Sequence, residues 1–102
     1  MLIIKKLSGM IKEELCDAEK YANCALKYKS EDKVLADVFY NLANQELQHM
    51  NMLHDQVVRL INEQKAKKGE PPAAMKAIYD YVHEEQIEKE KEVRILLAMY
   101  KG

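Results

Sequence analysis

Glu46 and His49 stand three residues apart in an otherwise apolar stripe, and Glu14 interrupts a second such stripe 32 residues earlier. Carboxylates that bridge and chelate, together with a neutral imidazole nitrogen, are the donors first-row divalent metals take. Set into a helix seam with no cation, the same carboxylates would lose hydration and repel one another. A divalent ion offsets both costs. The competing reading is a polar layer in which Glu14, Glu46, His49 and Tyr21 hydrogen-bond one another and set register. Glu-x-x-His alone is a weak signal in a chain with twelve glutamates, so the case rests on which elements carry these residues and at what level.

Two breaks define those elements. Ser30-Glu31-Asp32 supplies an N-cap with acids in the first turn, following Lys27 and Lys29 at the end of the preceding helix. Gly69-Glu70-Pro71-Pro72 places a glycine after one helix and prolines at the start of the next. The expectation is one all-α domain over 1–102 with three helices, at about 2–29, 31–67 and 71–100. Connections this short make consecutive helices antiparallel, up-down-up.

Helix 1 repeats in fours and threes through Leu7, Ile11, Glu14, Ala18, Tyr21, Ala25 and Tyr28. Helix 2 does the same through Leu35, Phe39, Leu42, Glu46, His49 and Leu53, broadened by Val38, Ala43, Met50 and Val57. From the first turn, Glu14 lies about 16 residues back and Glu46 about 16 forward, so at about 1.5 Å per residue the two sit side by side. Glu46 and His49, at i and i+3, share one helical face. Helix 3 is apolar at Ala74, Ile78, Tyr81 and Val82 and again at Ile95, Leu96 and Met99, with Glu85, Glu88 and Glu92 between. That acidic stretch is either part of the site or a solvated face beside Lys89 and Lys91.

Composition narrows the function classes. The formal net charge is −1, which provides no field for nucleic acid or anionic lipid. Lys65, Lys67 and Lys68 fall where a helix ends and complement its dipole. Leu2-Ile3-Ile4 is too short for a signal or a membrane span, making a cytoplasmic location the expectation. Cys16 and Cys24 lack metal-site or redox spacing and read as reduced thiols. His54 and His83 read as surface or interface residues, and the methionines as filler.

At Glu14-x6-Tyr21 and Glu46-x-x-His49 the sequence resembles the ferritin-like carboxylate di-iron proteins, which include rubrerythrins, bacterioferritins and encapsulated ferritins. Over residues 7–60 the resemblance implies Glu14, Glu46 and His49 as iron ligands and Tyr21 as a nearby tyrosine that hydrogen-bonds or donates an electron. The bland alternative for Tyr21 is a core tyrosine. The family's ligand set is one Glu from each of two helices and Glu-x-x-His from each of two others, of which this chain supplies half. It has no long crossover and no second Glu-x-x-His, the nearest approach being Asp80-x-x-His83 near the start of helix 3.

The half-sized version of the family implies that two chains pair about a two-fold axis and complete one four-helix bundle and one di-iron site. A homodimer or higher homo-oligomer with two iron ions per shared site is therefore expected, with manganese or zinc as alternatives. If the site closes within one chain instead, Glu88 or Glu92 falls nearest the level of His49. The implied activity is ferroxidase-type oxidation, or sequestration, of Fe(II). The alternative of another class is a non-enzymatic helical interaction protein with a polar seam.

Overall fold

The computed structural model describes residues 2–102 and is all-helical there: α1 spans Leu2–Tyr28, α2 Lys33–Lys68 and α3 Ala73–Lys101. The helices run up-down-up in a rod of 55 × 19 × 18 Å, its length that of α2 alone at about 1.5 Å per residue. No helix among the described residues is long and apolar enough to cross a membrane.

Both breaks fall where the capping chemistry puts them, with local corrections. Asp32, not Ser30, caps α2, its carboxylate accepting from the Leu35 N–H at 3.1 Å, and no acid lies inside the first turn. The reason lies in the turn: the N–H groups of Glu31 and Asp32 both donate to the Tyr28 carbonyl at the end of α1, so Ser30 and Glu31 belong to the connection. Gly69 ends α2 at φ 79°, with its N–H on the Lys65 carbonyl at 2.8 Å, a conformation that a Cβ disfavours. Helix α3 begins at Ala73, after both prolines, and Pro72 caps it without a side-chain bond.

Small residues govern the α1–α2 contact. Ala18, Ala22 and Ala25 of α1 and Ala36 and Ala43 of α2 are all 0% exposed, so the two backbones approach closely over the part of the hairpin next to the α1–α2 turn. Ile11, Leu15, Leu47 and Met50 continue the core, and Val93 and Leu97 of α3 close it.

Helix α3 packs mainly on the flank of α1 that carries Ser8 and Glu19, away from Glu14, and reaches α2 near its own C-terminus. Gln86 donates to the Ser8 carbonyl at 3.2 Å and Lys89 pairs with Glu19 at 2.7 Å. Near its C-terminus the buried Tyr100 stacks on Tyr40 with ring centroids 5.0 Å apart. Its hydroxyl donates to Asp37 and accepts from Lys33. Hydrogen bonds from Lys33 and then Tyr100 hold the Asp37 carboxyl below its usual range. The sequence stripe on α3 is corrected here: Val93, Leu97 and Tyr100 are buried, whereas Ile78, Tyr81, Ile95 and Met99 are exposed. Helix α3 as a whole touches α2 only sparsely, and a groove opens between its first half and the second half of α2, leaving the rod splayed at that end.

Candidate metal centre

The buried line of α2 is Ala36, Ala43, Leu47 and Met50. At about 100° per residue the stripe Leu35, Phe39, Leu42, Glu46, His49 and Leu53 is rotated by roughly a quarter turn from that line. It therefore rims the hairpin instead of filling it. On α1, Glu14, Tyr21 and Tyr28 rim the same side, about 120–180° around the helix from Ser8 and Glu19, where α3 packs. The candidate ligands thus occupy the flank of the α1–α2 hairpin that α3 does not cover.

There the level match between Glu14 and Glu46 holds. Glu14, Glu46 and His49 each offer a donor atom within 4.8 Å of the others, the one such group of three among the described residues. His49 Nδ1 lies 3.4 Å from Glu14 Oε2 and 3.8 Å from Glu46 Oε1. The carboxylates are mostly enclosed, with side chains 25% and 17% exposed, while the imidazole is 55% exposed. The cluster therefore has acidic walls and an open mouth.

Its electrostatics are those of carboxylates held together against their repulsion. Glu14 Oε2 is shut off from water and, among the described residues, receives no hydrogen bond, leaving a lone pair aimed into the cluster. Glu46 is raised from its ordinary 4.5 to about 7. The hydrogen bond it shares with Glu14 comes first among the causes, followed by burial and by the Glu14 charge; Asp17 adds slightly, and His49 opposes. The pair is thus disposed to share a proton well above the usual carboxylate range, and a cation in the cluster would compensate the same repulsion. Oxygen donors with one nitrogen, one donor orphaned and one side open, suit a first-row divalent ion.

The remaining residues fall elsewhere. Tyr21 is about 10 Å further along α1 than Glu14, half-buried, with its ring stacked on Phe39 at 6.3 Å. Glu88 and Glu92 are not brought to the cluster. They are exposed on α3 with Tyr81, Glu84 and Glu85 around a shallow surface depression, and Glu88 pairs with Lys91 at 3.7 Å. Asp80 pairs with Lys76 at 2.9 Å, and His83 faces His54 across α2 and α3 with ring centroids 5.2 Å apart. Asp17, whose charge reaches Glu46, was not singled out from sequence, although its i+3 spacing from Glu14 is a usable signal. Cys16 and Cys24 are free thiols. No family model, curated protein or solved structure matches this chain.

Proposed function

We propose that this chain is a ferritin-like metal-binding protein in which two copies pair through the uncovered flank of the hairpin and share a site for two iron ions, where Fe(II) is oxidised or sequestered. The observation that carries this reading is the convergence of Glu14, Glu46 and His49 on that flank, with Glu14 Oε2 buried and unsatisfied. Three donors leave a first-row ion short of its usual four to six ligands, and a two-fold partner doubles them to four carboxylates and two imidazoles. Exposed apolar side chains on the same side, Met10, Leu35 and Val38, provide the surface a partner would cover.

Fe(II) is the substrate. Two Fe(II) ions lose one electron each to dioxygen, which takes up two protons and leaves as hydrogen peroxide. The chain's part is to hold and orient: Glu14 presents its unsatisfied oxygen, Glu46 gives up the shared proton as the cation arrives, and His49 closes the mouth. Tyr21 stands further along the same flank as a packing residue within reach of an electron-transfer role. Manganese or zinc held without turnover would use the same donors.

The test is anaerobic Fe(II) titration of the apo-protein, followed by admission of air. Saturation near one iron per chain, a dimer by light scattering, and ferric absorbance lost in His49→Ala are the expected results. Binding no tighter than in Glu46→Ala refutes the reading. It would leave a helical interaction protein whose polar seam is satisfied by the proton shared between Glu14 and Glu46, the observation favouring that second reading.

A further inference from the structure

At the splayed end of the rod the first half of α3 stands away from the second half of α2, and the N-terminal turns of α1 form the floor between them. The result is a groove of about 720 Å³ walled by all three helices. That is within the range of ligand sites, roughly 300–1,000 Å³. Ile4 in the floor is buried, whereas Leu2, Val58, Met75 and Ile78 on the walls keep large apolar areas in water. Ile78 alone is 62% exposed.

The groove has a direction. Because α1 and α3 run one way and α2 the other, Leu2, Ile61, Met75 and Tyr79 lie toward the outer end, and Ser8, His54, His83 and Gln86 toward the middle of the rod. The outer part is apolar and the inner part carries donors. Asp80 is the carboxylate on the lining, and it is already engaged by Lys76 at 2.9 Å. Gln86 is engaged by the Ser8 carbonyl. Among the described residues the Lys5 ammonium forms no ion pair or hydrogen bond, and the ring contact of His54 and His83 is with each other. What remains for a ligand is cationic and donor-rich at one end and hydrocarbon at the other.

We infer that this groove is a binding site for a free single-chain carboxylate of the fatty-acid class, its head meeting Lys5, His54 and His83 and its tail lying over Ile4, Val58 and Ile78 toward the outer end. The carboxylate complements the uncommitted donors, and the tail covers the exposed apolar walls. The site is separate from the Glu14, Glu46 and His49 cluster, which lies on the other side of α1.

The test is calorimetric titration of the full chain with octanoate, decanoate and dodecanoate below their micellar concentrations. About 0.8 kcal/mol per buried methylene corresponds to about fourfold tighter binding per carbon, or about fifteenfold per two-carbon step. The expected result is that progression, a weaker response to decyltrimethylammonium than to decanoate, and loss of at least tenfold in Ile78→Glu, a rim substitution checked for folding by circular dichroism. Lys5→Glu should weaken the carboxylates while sparing decanol. Absence of binding, equal binding of the ammonium analogue, or unchanged affinity in Ile78→Glu overturns the inference. So does tighter binding to phospholipid vesicles than to the free carboxylate, or a change of oligomeric state in Ile78→Glu with no carboxylate binding, which would make a second copy the occupant.

Discussion

Replacing Glu46 by glutamine keeps the shape of a protonated glutamate and removes its titration. In the folded chain Glu46 is raised from 4.5 to about 7, so between those values the folded state holds a proton that the unfolded state has released. Stability from this group is fully present below about pH 4.5 and is lost as pH rises through about 7. A shift of that size would be worth about 3 kcal/mol if the pair were sealed from water. Solvent reaches the open side, and about half, roughly 1.5 kcal/mol, is the reasonable expectation. For a domain of this size that is a fall in Tm of about 6–12 °C. The assay is thermal melting from pH 4.5 to 8.5 in a chelating buffer, wild type against Glu46→Gln, the difference removing every other titration. The expected difference curve favours wild type at low pH relative to high pH. A flat difference, or a wild type that gains stability relative to the variant as pH rises, refutes the shared proton. In the metal reading the same proton appears in solution when Zn(II) or anaerobic Fe(II) is added near pH 6, at up to about one per chain, and Glu46→Gln abolishes that release.

Further outcomes are expected elsewhere in the chain. Asp32→Ala should cost about 1 kcal/mol through loss of the α2 cap, and Ser30→Ala almost nothing, both read by urea denaturation. Gly69→Ala should cost about 1–3 kcal/mol because φ 79° with ψ −167° is a region that L side chains avoid; an unchanged midpoint would contradict that turn. Leu15→Ala, at a site 1% exposed, should cost about 2–5 kcal/mol. Glu88→Gln with Glu92→Gln should leave metal stoichiometry intact, whereas Glu14→Gln should remove it; metal loss in the first pair would bring α3 into the site.

How much of this was legible in the sequence differs from helix to helix. The breaks were, because Gly69, the prolines and Asp32 act through local backbone chemistry that few tertiary contacts can override. So was the pairing of Glu14 with Glu46, which depends only on counting equal lengths from one turn. The cap was displaced by two residues because the carbonyl of Tyr28 accepts from both Glu31 and Asp32, a choice that composition does not encode. On α2 the apolar arc is wide enough to hold two adjacent lines, and periodicity alone could not tell the alanine line in the core from the Phe39 and Leu42 line on the rim. On α3 the contact face was misread because Ile78 and Ile95 stay in water while Tyr100 takes the core position, and that follows from where α1 offers Ala25 and α2 offers Ala36 and Tyr40. Glu88 and Glu92 were separable from the site only once α3 was seen to pack against Ser8 and Glu19.

The uneven grip on α3 has a mechanical consequence. Val93, Leu97 and Tyr100 anchor one half, while residues 73–85 contribute no buried side chain. Local opening should therefore begin at the Gly69 turn and run toward Gln86, at a free energy well below that of global unfolding. The first half of α3 behaves as a tethered lever: it can swing without disturbing the alanine contact that fixes the spacing of Glu14 and Glu46. Amide exchange along α3 should accordingly slow from its start to its end. The carboxylate cluster lies beside the buried Leu15, Leu47 and Met50, on the flank that α3 does not cover, so changes at the splayed end should reach it weakly.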